Sequence, residues 1–143
     1  MTVFIDSNIF LRAILRDVPE QAKCCLTLFE MIDRGEIPSC TSMLVLNEIL
    51  WVLEGLRVPR DEIAKRTGAI AGSRVRLLAT SDQDFVEAAI RLYTAKEVDF
   101  QDALNAETAR AEDIKVIVSY DSHFDEIDFV DRKEPDEIIQ EFG

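Results

Sequence analysis

Two short apolar, β-forming runs end on acidic residues. Val3-Phe4-Ile5 runs into Asp6-Ser7-Asn8, and Val116-Ile117-Val118 runs into Ser119-Tyr120-Asp121. Between them the sequence alternates strand-like and helix-like segments, the pattern of a mostly parallel sheet covered by helices on both faces. Right-handed crossovers bring the ends of successive parallel strands to one edge, and ligands of open α/β sheets bind at that carboxyl edge. Asp6 and Asp121 are therefore expected to share an edge. Taken singly, each has a plainer explanation, because Asp, Ser and Asn bond neighbouring amides and favour the starts of helices.

The remaining elements follow from punctuation and periodicity. Ile9 to Leu15 reads as a short helix, and Pro19 opens a second that stops at Gly35. Glu36 to Cys40 reads as a strand weakened by Pro38. Ser42 then caps an apolar helix through MLVLNEILWVLEGL, expected to be largely buried. A more polar helix spans Pro59 to Gly72, and Val75 to Ala79 reads as a strand. Ser81 with Asp84 resembles a capping box for a helix to about Lys96. Another helix runs from about Phe100 to Glu112, Phe129 and Val130 suit a short last strand, and Pro135 to Phe142 reads as a terminal helix or a loosely docked tail.

Composition narrows the class. A chain of 143 residues with 48% hydrophobic content suits one domain, residues 1–143. No apolar run spans a bilayer and the first residues lack the marks of a secretory signal, so a cytoplasmic protein without a membrane role is expected. Three cysteines, two of them adjacent, suit neither a disulfide framework nor a zinc site and read as reduced core residues. His123 is the only histidine, which excludes any site built on several imidazoles; in its polar loop it reads as solvated or hydrogen-bonded. Net charge is −12, but six basic residues between Arg57 and Arg76 face only Asp61 and Glu62, whereas from Asp121 to Gly143 nine acids face two bases.

Two acids stand in surroundings that do not favour charge. Glu48 sits among Leu44, Val45, Leu46, Ile49, Leu50 and Val52. It either lies on an exposed stripe beside Asn47, or is buried and must protonate, pair with a cation or bind a metal. In VDFQDAL, Asp99 reads as an N-cap and Asp102 as the third residue of the helix, where the dipole favours a carboxylate. Capping explains each separately but not the set of four. Carboxylates crowded at one sheet edge repel unless divalent cations neutralise them, and an all-oxygen set suits Mg²⁺ or Mn²⁺.

Asp6-Ser-Asn8, Val45-x-x-Glu48, Asp99-Phe-x-Asp102-Ala103-Leu104 with Ala106 and Ala109 behind it, and Ser119-x-Asp121-x-x-Phe124 together resemble the PIN domain. The resemblance covers nearly the whole chain, whose length is that of the small toxin-like members called VapC. It implies a three-layer α/β/α, Rossmann-like fold with a mostly parallel, roughly five-stranded sheet. It further implies a Mg²⁺- or Mn²⁺-dependent endoribonuclease that hydrolyses single-stranded RNA to 5′-phosphate and 3′-hydroxyl ends. Asp6, Glu48, Asp102 and Asp121 would form the catalytic, metal-holding cluster, with Asn8, Ser119 and Asp99 orienting it from outside. A homodimer and a VapB-like antitoxin partner are family expectations. Arg12 and Arg16, one helical turn apart, and the basic stretch from Arg57 to Arg76 are candidate RNA contacts, although an ordinary solvated helix face is the favoured reading of each taken singly. Two rival classes stand beside this one. The first is an inactive binding module in an RNA-processing complex, against which an intact acidic set argues. The second is a phosphatase with Asp6 as nucleophile, disfavoured because Asn8 stands where such enzymes place a second aspartate.

Overall fold

The computed structural model describes residues 1–79 and 82–143. Among them, β1 (Val3–Ile5), β2 (Ser39–Ser42), β3 (Arg76–Leu78), β4 (Val116–Val118) and β5 (Asp131–Lys133) form one wholly parallel sheet in the order β3-β2-β1-β4-β5. The helices are α1 (Ser7–Leu15), α2 (Pro19–Asp33), α3 (Met43–Gly55), α4 (Arg60–Ala71), α5 (Gln83–Ala95), α6 (Phe100–Ala111) and α7 (Pro135–Phe142), with a 3₁₀ turn at Ser122–Glu126.

The central strands are uninterrupted apolar runs because both of their faces are covered. Val3, Phe4 and Ile5 are fully buried, as are Ile117 and Val118, each side chain contributing about 1.5–3 kcal/mol by leaving water. From β1 the chain steps outward to β2 and β3, and α5 and α6 then carry it back past β1 to β4. Right-handed crossovers thus assign the two directions to opposite faces. On one side α1 packs on α2 and α2 on α7; on the other α5 packs on α6; α3 touches α1, α4 and α6. The result is the expected three-layer α/β/α architecture. Its strand order reverses between β1 and β4, which opens a crevice at their carboxyl ends.

Several elements differ from expectation. The last strand is Asp131–Lys133, not Phe129 and Val130. Val130 closes a turn on Ile127, and the Phe129 ring lies 4.4 Å beneath the Arg110 guanidinium. An edge strand carrying Asp, Arg and Lys is a common guard against edge-to-edge pairing, and it lacks the apolar pattern that betrays a central strand. Strand β2 begins after Pro38, which has no N–H for the ladder, although its carbonyl accepts from Val3 N at 3.0 Å. The proposed Ser81 cap lies outside the described residues; Asp82 accepts from Phe85 N at 2.8 Å at the start of α5.

The largest difference concerns α3. Only Val45, Ile49 and Leu53 are buried, and Trp51 is 74% exposed with Met43 and Leu56 also in water. One apolar stripe faces inward with Leu46 and Leu50 half-buried against the core beside it, while Met43 and Trp51 of the same helix stand in water. The terminal segment, by contrast, is firmly docked: Glu134 and Glu137 form a capping box, Pro135 opens α7, and Ile138 is fully buried. Cys25 and Cys40 are buried, Cys24 is half-buried, and all three are free thiols. Among the described residues, no helix is long and apolar enough to cross a membrane.

Candidate active site

The crevice is bordered by acids that the backbone delivers in different ways. Asp6 extends the β1 ladder by one residue, its N–H donating to the Val118 carbonyl at 3.1 Å, and then caps α1 by accepting from Ser7 N at 2.8 Å. Its Oδ2 accepts from the Ser119 hydroxyl at 2.7 Å and from Asn8 Nδ2 at 3.3 Å. Asn8 also donates to Ser119 Oγ at 3.0 Å and accepts from Tyr120 N at 3.2 Å, tying α1 to the loop after β4. Ser119 Oγ accepts in turn from Asp121 N at 3.0 Å. Burial pushes the Asp6 carboxyl up to about 6, with Glu48 and Asp121 adding repulsion, while the bonds from Ser119 and Ser7 work to lower it.

Asp121 opens the 3₁₀ turn. Its Oδ1 accepts from His123 N at 2.9 Å and lies 2.7 Å from His123 Nδ1. Burial acts to raise this carboxyl, but the His123 backbone bond, then Asp102, then the imidazole hold it below the ordinary range. The sole histidine thus stands beside a site acid, a placement signalled only by its position two residues after Asp121.

Asp102 is 8% exposed in the first turn of α6, whose N-cap Asp99 accepts from Asp102 N at 2.8 Å. Its Oδ2 is buried with no hydrogen-bond partner among the described residues. Burial first, then the charges of Asp99, Asp6 and Asp121, push this carboxyl up to about 9. Glu48 is half-buried on α3, between exposed Asn47 and buried Ile49. The Gln101 amide donates to its Oε2 at 2.9 Å. Sequence reasoning passed over Gln101, whose long amide immediately precedes Asp102.

Asp6, Asp102 and Asp121 thus lie within one another's fields, and Glu48 within that of Asp6. As they stand, no three His, Cys, Asp or Glu side chains among the described residues are gathered closely enough to hold a metal ion. Glu48 accepts from Gln101, and Asp121 lies against His123. The donor set nevertheless fits a hard divalent cation: it is all oxygen, and it contains a buried carboxyl oxygen with no hydrogen-bond partner among the described residues.

The candidate RNA contacts are unequal. Arg12 is engaged by Gln21 at 2.7 Å and by Asp17 at 3.1 Å, whereas Arg16, at the left-handed C-terminus of α1, is exposed and makes no ion pair among the described residues. In the basic middle stretch Arg66 pairs with Glu62 and Arg76 with Glu112. The acidic end is also partly neutralised. Arg132 pairs with Asp125 and Glu134 and donates to the Ser119 carbonyl at 3.1 Å, and Lys133 pairs with Glu141 and Asp131. Arg132 therefore braces the loop that presents Asp121.

Several solved structures share this architecture. The VapBC2 complex of Rickettsia felis, bound to a fragment of its promoter DNA, superposes with a TM-score of 0.70 at 19% identity, covering 94% of this chain and 98% of that one. VapC20 of Mycobacterium tuberculosis, a toxin that cleaves the sarcin-ricin loop, gives 0.69 at 21% identity over 90% and 96%. VapBC-1 of nontypeable Haemophilus influenzae gives 0.71 at 13% identity over 95% and 99%. At these identities the likeness establishes the fold alone. No curated protein sequence matches the chain significantly. The family model of the PIN domain, however, matches residues 3–130, from the first central strand to the turn before the last, and on that match the chain belongs to the PIN domain family.

Proposed function

We propose that residues 1–143 form a single PIN-like domain that hydrolyses phosphodiester bonds of single-stranded RNA in the cytoplasm, as the toxin of a toxin–antitoxin pair. Asp6, Glu48, Asp102 and Asp121 would hold Mg²⁺ or Mn²⁺, which supplies water activation and neutralisation of the phosphoryl charge. The observation that carries this reading is the Asp102 carboxyl, buried beside Asp6 and Asp121 with one oxygen unpartnered. A group used only for capping could point its carboxylate into water; this one is buried close to two other acids.

The chain's own residues define the rest of the chemistry. Asn8 and Ser119 fix the Asp6 carboxylate through hydrogen bonds on Oδ2, leaving its charge in place. Arg16, which makes no ion pair among the described residues, is better placed than Arg12 to meet an RNA phosphate. The exposed apolar side chains Met43 and Trp51 on α3 and Val86, Ile90 and Tyr93 on α5 suit burial in a homodimer. A VapB-like antitoxin is the second expected partner, in keeping with the complexes that share this fold.

Purified protein should cleave single-stranded RNA with Mg²⁺ or Mn²⁺ and stop in EDTA. Cleavage that persists in EDTA and disappears on His123→Ala would replace the metal reading with a histidine-based one. Metal-independent RNA binding without any cleavage would instead favour the inactive binding module.

A further inference from the structure

Glu48 differs from the other three acids in that neither deep burial nor a local backbone amide fixes its carboxylate. It is half-buried near the middle of a helix, where side chains of this length sample several rotamers. Its hydrogen-bond partner among the described residues is Gln101, which reaches from the first turn of α6 across to α3. One amide nitrogen, Nε2, donates to Glu48 Oε2 at 2.9 Å and to the Leu44 carbonyl at 3.4 Å. Leu44 is one helical turn before Glu48, so the same amide holds both the carboxylate and the backbone turn beneath it.

The base of Gln101 is itself fixed. It lies between the N-cap Asp99 and the capped residue Asp102, so its position moves only with the start of α6. We propose that Gln101 is a positioning residue that presents Glu48 to the metal site and couples its placement to that of Asp102. The assignment rests on the metal-dependent reading above. A neutral amide suits the task, since it binds one carboxylate oxygen without neutralising the charge needed by a cation, as a lysine or arginine there would.

The test is a double-mutant cycle read by calorimetric Mn²⁺ binding, without RNA. Gln101→Met keeps the length and removes the donor; Gln101→Asn keeps the amide but withdraws its reach, and serves if the first variant folds poorly by melting in EDTA. Either should weaken Mn²⁺ binding about 10-fold, the usual cost of losing a group that orients a metal ligand. On a Glu48→Gln background the same change should alter affinity by less than about twofold, because residues acting through one another are not additive. Wild-type affinity in both Gln101 variants, or a full loss repeated on the Glu48→Gln background, would overturn the assignment while leaving the metal reading intact. Failure of the wild-type protein to bind Mn²⁺ would overturn both.

Discussion

Asp6 and Asp102 are both buried carboxyls at the same edge of the sheet, yet their surroundings are opposites. Asp6 follows a central strand and receives hydrogen bonds from Ser7 N, Ser119 and Asn8. Asp102 follows a loop, lies in the first turn of a helix, and leaves Oδ2 with no partner among the described residues. Burial raises both, but the bonds on Asp6 limit the rise to about 6, whereas Asp102 is carried to about 9. The strand-borne half of the site is complete without a ligand. The helix-borne half is satisfied by a proton or, on the reading proposed here, by a cation.

The sharpest way to break this contrast is to remove the charge from the incomplete half. Asp102→Asn should reduce RNA cleavage by orders of magnitude while the fold persists, because the carboxylate that would receive the metal is gone and the helix cap on Asp99 is retained. Circular dichroism would establish folding and a gel assay the rate. A folded variant that cleaves at the wild-type rate would remove Asp102 from the site and leave capping as its whole role.

A second difference is visible in pH. A carboxyl whose folded pKa is raised binds its proton more tightly folded than unfolded. Its contribution is fully present below the unfolded value of 3.8 and is lost as pH rises through the folded value. In EDTA, stability should therefore fall as pH rises from about 4, with the Asp6 contribution ending near 6 and the Asp102 contribution extending to about 9. Asp121, held low, acts in the opposite sense, losing its contribution as the solution becomes strongly acidic. Melting curves of wild type and Asp102→Asn compared between pH 6 and 9 report on Asp102. The decline should flatten in Asp102→Asn, and Mg²⁺ should raise the melting temperature more at pH 9 than at pH 6, since a ligand stabilises the state that binds it. An Asp102→Asn slope equal to wild type would place the titration elsewhere.

The two halves were also unequally legible in sequence. Val3-Phe4-Ile5-Asp6 and Val116-Ile117-Val118 announce their strands because covered central strands need continuous apolar runs, and a parallel sheet then dictates which edge their acids share. Asn8 and Ser119 are near Asp6 or Asp121 in sequence, so their proximity to the edge follows from the same argument. The helix-borne half depends on tertiary packing. In MLVLNEILWVLEGL nearly every stripe is apolar, so periodicity does not reveal that Val45, Ile49 and Leu53 face inward while Trp51 faces water. Gln101 meets Glu48 only because α6 is brought against α3, and nothing local to either residue records that contact. Strand β5 was missed because its charged residues follow the chemistry of an edge rather than of a core.

On the complete side of the site, Ser119→Ala should have a moderate effect. The hydroxyl donates to Asp6 and accepts from Asn8 and Asp121 N, all within a fully buried residue. Removing it leaves buried polar groups unsatisfied at a cost of about 1–3 kcal/mol, measurable by denaturant unfolding in EDTA. The Asp6 carboxyl also loses a bond that lowers it and should titrate higher. A stability change within error would mean that the network around Asp6 is replaced readily by water, and that the two halves are less different than their hydrogen bonds suggest.

The smallest effect is expected at Asp99, which separates capping from metal holding within one turn of helix. Asp99 is exposed, and its Oδ1 accepts from Asp102 N, a bond that an asparagine oxygen accepts equally well. Asp99→Asn loses only the favourable interaction of an exposed charge with the helix dipole, about 0.3–1 kcal/mol at low salt, and less as salt is added. Its charge is also the second cause, after burial, of the raised Asp102 pKa. The variant should therefore let Asp102 ionise at lower pH, shortening the decline in EDTA stability at its alkaline end, while RNA cleavage remains close to wild type. Loss of cleavage as deep as that of Asp102→Asn, in a folded protein, would make Asp99 a member of the metal-holding set and extend the incomplete half of the site beyond the crevice to the exposed start of α6.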